Sequence, residues 1–141
     1  MNILVSSCLC GVNCKYNGGN NEDKRVAKLM DTHTVICVCP EVLGGLSTPR
    51  TPAEIVGDRV ITKDGEDVTE AFYKGAEKAL EAAEKYNVDM AILKANSPSC
   101  GCGKVYDGTF SKTLVEGDGV FAKMLKEKNI KVYNENDDLL I

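Results

Sequence analysis

The sequence predicts an α/β fold in three layers, with a small parallel or mostly parallel sheet that carries helices on both faces. Four short apolar runs, each bounded by polar or glycine-rich sequence, are typical of strands buried on both faces. Patterns of helical period separate these runs, and strands that alternate with helices form parallel sheets. The 141 residues, 43% of them hydrophobic, suffice for one core but not for two ordinary domains. We therefore expect a single domain over residues 1–141.

The first half of the chain begins with two of the predicted strands. Between them, residues 21–31 predict a helix with Val26, Leu29 and Met30 on its apolar face and acidic residues in its first turn. The weak alternation of residues 53–65 predicts either a short hairpin or an excursion from the main sheet. The predicted strands are "MNILVSS" at 1–7, "THTVICV" at 32–38, "VDMAILK" at 88–94 and "IKVY" at 130–133.

Residues 67–87 form the clearest predicted helix. Asp67 and Glu70 have the spacing of a capping box, and Asn87 is the predicted stop. A further helix is predicted over residues 119–129, after "GDG". The apolar stripe of the long helix consists of Phe72, Ala76, Ala79, Leu80 and Ala83.

Charge and hydropathy exclude some functional classes. The net charge of −4, the pI near 5.1 and the lack of a basic cluster argue against a nucleic-acid partner. No apolar run approaches the roughly 20 residues needed to cross a bilayer, and the first residues lack the basic segment of a signal peptide. We therefore expect a cytoplasmic protein with no membrane partner, as a monomer or small homo-oligomer.

The chain has seven cysteines in 141 residues, or about 5%, whereas a disulfide scaffold has roughly 8 to 10%. Metal binding or catalysis is therefore the better explanation for the cysteines. No Cys-x-x-Cys occurs, which argues against a zinc ribbon and against a thioredoxin-like dithiol. Three Cys-x-Cys pairs and one single residue make up the set: Cys8 and Cys10, Cys37 and Cys39, Cys100 and Cys102, and Cys14.

The strand order brings one cysteine of each pair to the same place. Cys8 follows the first predicted strand, Cys39 the second and Cys100 the third. Ligands of open α/β sheets bind at the carboxyl ends of the strands, so three distant loops would deliver thiols to one edge. Spacing alone leaves the choice within each pair open. Glu41, two residues after Cys39, is a candidate general base, and the glycines of "SPSCGCG" allow close approach of backbone N–H groups to an anion.

Four segments resemble the thiouracil desulfidase (TudS-like) family, in matching order from Cys8 to about Tyr133: "VSSCLCGVNCKYNGG", "CPEVLGGLSTPRTPAEI", "LKANSPSCG" and "DGTFSKTLVEGDGVFAKML". The resemblance implies a compact α/β domain with an oxygen-sensitive 4Fe-4S cluster, held by Cys8, Cys39 and Cys100, with one iron lacking a protein ligand. It further implies Glu41 and Ser97 as the catalytic pair and a small thiolated substrate, desulfurised without net redox change. Lys15, Asn17 and Lys112 depart from the expected Arg, Asp and Gly.

Each candidate also has a purely structural interpretation. Cys10, Cys14, Cys37 and Cys102 are individually typical of small core residues, and Cys37 lies within an apolar strand. Glu41 can simply pair with Arg50, and Ser97 can form a turn beside Pro98.

Two other functional classes also remain. Cys10, Cys14 or Cys102 can complete the cluster as a fourth ligand, which would make the protein an electron carrier or a sulfur-relay module. Alternatively, the cysteines bind zinc in a structural module, although the missing Cys-x-x-Cys pairs disfavour this alternative.

Overall fold

The computed structural model describes residues 1–138. Two short 3-10 helices lie at Ser7–Cys10 and Leu29–Asp31. In chain order the strands and α-helices are β1 (Asn2–Ser6), α1 (Lys24–Lys28), β2 (Thr34–Val38), α2 (Pro40–Leu43), β3 (Ala53–Val56), β4 (Arg59–Thr62), α3 (Thr69–Lys85), β5 (Met90–Leu93), β6 (Lys104–Tyr106), β7 (Leu114–Glu116), α4 (Val120–Glu127) and β8 (Lys131–Asn134).

The four strands predicted from apolar runs form one sheet with the order β2-β1-β5-β8. Every neighbouring pair in this sheet is parallel, and Leu4 of β1 lies opposite Ile36 of β2 and Ala91 of β5. The carboxyl ends of all four strands therefore lie at the same edge. The predicted α/β class with a parallel sheet is confirmed.

Helical segments cover both faces of the sheet. The strands carry apolar side chains on both faces, and these side chains need to be buried. On one face, Leu4 and Leu93 pack with Phe72 of α3 and Phe121 of α4. On the other face, residues such as Ile3, Val5 and Ile92 pack with Leu9, Val26 and Leu29. These two clusters make the predicted three layers. Within residues 1–138, no helix is both long enough and apolar enough to cross a membrane.

The first helix is shorter than the sequence predicts. Asp23 lies at the N-cap, where its carboxylate accepts hydrogen bonds from the backbone N–H groups of Arg25 and Val26. The segment then tightens into a 3-10 turn, in which Leu29 is buried. The placement of Met30 on the apolar face was wrong, because the residue is 47% exposed.

The long helix matches its predicted apolar stripe, with Phe72, Ala76, Ala79 and Ala83 buried. It ends near Asn87, which has a left-handed φ of 48°. The predicted capping box does not form, since the helix begins at Thr69 without a side-chain cap bond. Asp67 instead accepts a hydrogen bond from the Thr69 N–H.

Two small antiparallel hairpins stand apart from the main sheet. β3 and β4 form the hairpin predicted over residues 53–65. β6 and β7 form a second hairpin that the sequence analysis missed, as it missed the four-residue helix α2. These elements have three or four residues each, which is too few to establish a periodicity.

Helix α2 carries the chain from Cys39 into Glu41 and packs against α3 at unusually close range. A Cβ atom on Gly75 would lie 1.8 Å from the carbonyl oxygen of Pro40, and a Cβ on Gly44 would lie 2.0 Å from that of Ala71. Only glycine allows this approach. The position of the "CPE" segment therefore depends on two glycines in the α2–α3 contact.

We expect the Gly75→Ala substitution to lower the free energy of unfolding by about 3 kcal/mol, because the added methyl group forces the two helices apart. Urea unfolding measures this change. Glu77→Ala is the matched control, since Glu77 is exposed on the same helix and should change stability by less than about 0.5 kcal/mol. Equal stability of the two variants would contradict the close helix contact.

Candidate active site

A cavity of about 510 Å³ opens at the carboxyl edge of the sheet. Segments that follow β1, β2 and β5 line it, together with the loop between β6 and β7. Parallel strands place ligand sites at this edge, as the sequence analysis anticipated. The lining includes thiol, charged, hydroxyl and aromatic side chains, namely Cys8, Cys14, Cys39, Glu41, Arg50, Glu54, Lys94, Ser97, Cys100, Tyr106, Phe110 and Lys112.

Cys8, Cys39 and Cys100 all line this one cavity. Cys8 and Cys39 are partly buried, whereas Cys100 is only 5% exposed. Burial raises the pKa of both Cys8 and Cys100, and the nearby Cys39 adds to the rise at each. Three adjacent thiolates would repel one another in this setting, so bound cationic metal would be needed to keep all three deprotonated.

Cys14, which the sequence leaves as either a core residue or a fourth cluster ligand, also lines the cavity. The residue is buried, and its carbonyl oxygen lies 4.0 Å from the Cys39 Sγ atom. A hydrogen bond between the two side chains lowers the pKa of Cys39 and raises that of Cys14. Cys14 and Cys39 therefore contact each other at the cavity wall.

The remaining three cysteines lie outside the cavity lining. The Sγ atoms of Cys10 and Cys37 lie 2.8 Å apart, and the Cys102 Sγ lies 3.6 Å from the carbonyl oxygen of Val132. The prediction that Cys37 is a core residue was wrong, because the residue is exposed. Its strand, β2, forms the edge of the sheet, so an apolar run there does not ensure burial.

Glu41 lies at the cavity wall and pairs with a buried arginine. The Arg50 Nε donates to the Glu41 Oε1 at 3.2 Å, and the Arg50 side chain is 8% exposed. A second guanidinium nitrogen donates to the Cys14 carbonyl oxygen at 2.8 Å. Burial raises the pKa of Glu41, while Arg50 partly opposes that rise. A carboxylate whose pKa is raised in this way is a better general base than an exposed one.

Ser97 has a local structural role in addition to lining the cavity. Its Oγ accepts hydrogen bonds from the backbone N–H groups of Ser99 at 3.1 Å and Cys100 at 3.0 Å. These bonds use the lone pairs of the oxygen, so the hydroxyl hydrogen stays available for donation to a bound molecule. Ser99 Oγ is buried without a hydrogen-bond partner among residues 1–138, and the structure offers no physical reason for it.

Lys94 is a cavity residue that the sequence analysis missed. Its Nζ lies 2.8 Å from the Glu135 Oε2, and the other oxygen of Glu135 accepts the Ala95 N–H at 2.8 Å. Burial raises the pKa of Cys8; the Lys94 ammonium opposes this rise, and the Glu135 carboxylate adds to it. The only feature of the sequence that marks Lys94 as a cavity residue is its position at the end of an apolar strand.

Glu54 is a second cavity residue that the sequence does not predict, because it lies in a stretch where apolar and polar residues alternate only weakly. Its buried carboxylate accepts hydrogen bonds from the backbone N–H groups of Gly108 at 3.0 Å and Phe110 at 3.1 Å. Phe110 and Lys112 both have left-handed backbones, with φ of 56° and 62°. A glycine, which the resemblance leads us to expect at position 112, would adopt this conformation without strain. Glu54 thus holds an otherwise unfavourable loop against the cavity.

The side-chain geometry disfavours a site for a single metal ion. Among the residues that the structure describes, no three His, Cys, Asp or Glu side chains are grouped closely enough to hold one ion. A polynuclear cluster is larger than an ion, so its ligands stand farther apart. The three thiols that line the cavity have the soft donor chemistry that iron–sulfur clusters use.

The chain resembles known proteins in sequence and in fold. Residues 3–137 match the family model described as 2-thiouracil desulfurase. The chain is 46% identical over 145 residues to the uncharacterized protein YbbK of Bacillus subtilis (strain 168), with 96% of each chain covered. It is also similar to a solved structure of the [4Fe-4S]-dependent thiouracil desulfidase TudS. That similarity has a TM-score of 0.90 and 39% identity, and it covers 96% of this chain and 91% of the other.

Proposed function

Because the chain belongs to the 2-thiouracil desulfurase family, we propose that it desulfurises a small thiocarbonyl compound such as a thiolated pyrimidine. The reaction replaces the C=S sulfur by oxygen from water and releases hydrogen sulfide, so it needs no electron donor or acceptor. A 4Fe-4S cluster held by Cys8, Cys39 and Cys100 is the proposed cofactor, with one iron left without a protein ligand. The observation that supports this most strongly is the convergence of these three thiols on one cavity.

The donor set suits such a cluster. Thiolate is the soft ligand that iron–sulfur clusters use, and each of the three thiols comes from a different segment of the carboxyl edge of the sheet. When bound, the cluster supplies a Lewis-acidic iron with affinity for the sulfur of a thiocarbonyl group. Lys94 places a positive charge beside Cys8 that favours its thiolate, although the Glu135 carboxylate paired with Lys94 counteracts part of this effect.

Glu41 and Ser97 carry out the acid–base chemistry of the proposed reaction. Glu41 takes a proton from the water that attacks the thiocarbonyl carbon, and its raised pKa suits this role. Arg50 fixes the carboxylate through the 3.2 Å ion pair, which orients Glu41 without removing its second oxygen from use. Ser97 donates its free hydroxyl hydrogen to the substrate, while its oxygen holds the turn before Cys100.

The rest of the cavity suits a small planar ring. Tyr106 and Phe110 supply aromatic faces, and Glu54 fixes the loop that carries Phe110. Aromatic side chains stack on flat heterocycles without needing a charge on the ligand. We therefore place the neutral ring of a thiolated pyrimidine between this loop and the thiol edge.

One observation favours the alternative of a fully ligated cluster. Cys14 lines the same cavity as the three proposed ligands, whereas Cys10 and Cys102 do not. If Cys14 binds the fourth iron, the protein is an electron carrier or a sulfur-relay module. The Cys14→Ala substitution separates the two functions, because only a fully ligated cluster would change its spectrum when this thiol is removed.

Metal analysis after anaerobic reconstitution tests the proposed cofactor. We expect brown protein with about four iron and four acid-labile sulfide per chain, since a cubane cluster has that composition. Iron and sulfide are measured colorimetrically, and zinc is measured on the same sample. One zinc per chain with no acid-labile sulfide would contradict the cluster and support the structural zinc module instead.

The charge of Lys94 leads to a separate expectation. Replacing Lys94 by Met removes a positive charge near the cluster, which should lower its reduction potential by about 40 mV, or roughly 1 kcal/mol for one electron. A potentiometric titration followed by electron paramagnetic resonance measures the shift. Lys94→Arg keeps the charge and should stay near the wild-type potential. Equal potentials for all three proteins would show that Lys94 has no electrostatic role.

A further inference from the structure

The Cys10 and Cys37 thiols form a contact that the proposed reaction does not use. Their Sγ atoms lie 2.8 Å apart, and neither residue lines the cavity. A disulfide bond has a length of about 2.05 Å. The two sulfur atoms therefore need to approach by less than 1 Å to form a covalent bond.

The backbone on both sides of the contact is well anchored. Cys37 lies on β2, where it pairs with Val5 of β1, and Cys10 ends the 3-10 helix that directly follows β1. Cys10 also packs against the apolar cluster that contains Ile3, Val5 and Leu9. Strand pairing and core packing thus hold the two thiols together, rather than a chance meeting of mobile loops.

We propose that Cys10 and Cys37 are a redox-active dithiol, which a low-molecular-weight disulfide converts reversibly into an intramolecular disulfide. Cys37 first attacks the small disulfide, which forms a mixed disulfide and releases one small thiol. Cys10 then attacks the Cys37 sulfur, which forms the protein disulfide and releases the second small thiol. The protein loses two protons and two electrons, and the small disulfide gains them.

The different exposure of the two thiols supports this order of events. Cys37 is exposed, so a small disulfide can reach its sulfur, whereas Cys10 is partly buried. The residue that meets the reagent and the residue that resolves the mixed disulfide are thus distinct. The exposed edge of the sheet at β2 provides the access.

The disulfide would link the two chain segments that carry the proposed ligands Cys8 and Cys39. Cys10 lies two residues after Cys8, and Cys37 lies two residues before Cys39. A bond between them restricts how far these segments can separate when a cluster is lost. We therefore expect the oxidised protein to release iron to a chelator more slowly than the reduced protein.

The first test treats the anaerobically reconstituted protein with excess glutathione disulfide, followed by acid quenching and alkylation with N-ethylmaleimide. Mass spectrometry of the non-reduced digest should show a peptide pair linked through Cys10 and Cys37, about 2 Da lighter than the two thiol peptides together. Dithiothreitol should reverse the link. Cys14 and Cys102 should be recovered alkylated. Recovery of both Cys10 and Cys37 as alkylated thiols would overturn the proposal.

Two variants make the result specific. In Cys10→Ala, the resolving thiol is missing, so Cys37 should accumulate as a mixed disulfide with glutathione. In Cys100→Ser, where we expect no cluster, the Cys10–Cys37 link should still form, so this test does not depend on the proposed function. A link from Cys37 to any other cysteine would contradict the pairing, and equal iron release from oxidised and reduced protein would contradict the tether.

Discussion

The Glu41→Gln enzyme should retain its cluster and lose roughly 100-fold or more of its desulfuration rate, the usual contribution of a general base. Glutamine keeps the size of the side chain and can still accept the hydrogen bond that the Arg50 guanidinium donates to Glu41. It cannot take a proton from water at neutral pH. Single-turnover release of sulfide from 2-thiouracil measures the rate, and the visible absorption of the cluster reports its retention. Near-normal turnover by Glu41→Gln would show that Glu41 is not the general base.

The dependence of the rate on pH gives an independent measure of the same group. Burial raises the pKa of Glu41 above its usual value of 4.5, so the rate should increase with pH through that raised pKa as the carboxylate forms. This acidic limb should vanish in Glu41→Gln. Replacing Arg50 by Met removes the opposing charge and should move the limb to higher pH. An identical limb in wild type and Glu41→Gln would assign it to another group.

Replacing Cys8, Cys39 or Cys100 by Ser should abolish cluster binding, or nearly so, in each of three single variants. A hydroxyl is a hard and weakly acidic ligand, whereas iron–sulfur clusters are held by soft thiolates. Iron and acid-labile sulfide per chain, measured after anaerobic reconstitution, give the result. Circular dichroism confirms that each variant is folded.

The remaining cysteines supply the matched controls. Cys10→Ala, Cys37→Ala and Cys102→Ala should keep a full complement of iron, because these side chains lie outside the cavity lining. Cys14→Ala should keep it too, because the proposed cluster does not use this thiol and the Cys14 carbonyl oxygen that contacts Cys39 stays in place. Loss of the cluster in Cys102→Ala with retention in Cys100→Ser would reverse the assignment within that pair.

The layers of the fold could be predicted from the sequence because each central strand is apolar on both faces. Ile3, Leu4 and Val5 are consecutive and fully buried, and such runs are typical of parallel strands covered by helices. Strand order then implied that the segments after β1, β2 and β5 meet at one edge. This strand order predicts that Cys8, Cys39 and Cys100 lie near each other.

Other features depend on tertiary contacts that leave no periodic signal. Apolar sequence predicted burial for Cys37, but the position of β2 at the sheet edge leaves it exposed. Glu54 and Lys94 reach the cavity through partners 54 and 41 residues away, respectively, namely Gly108 and Glu135. Ion pairs and loop-holding carboxylates of this kind are fixed by the folded chain, so only the structure reveals them.

Sulfide release from 2-thiouracil by the anaerobically reconstituted protein tests the proposed cluster-dependent desulfuration most directly. With the protein in excess over substrate, we expect one sulfide and one uracil for each 2-thiouracil consumed, with no added reductant or oxidant. Protein stripped of its cluster, and the Cys100→Ser variant, should release none. An intact cluster of about four iron per chain that leaves 2-thiouracil and related thiocarbonyl compounds unchanged would contradict the proposed function.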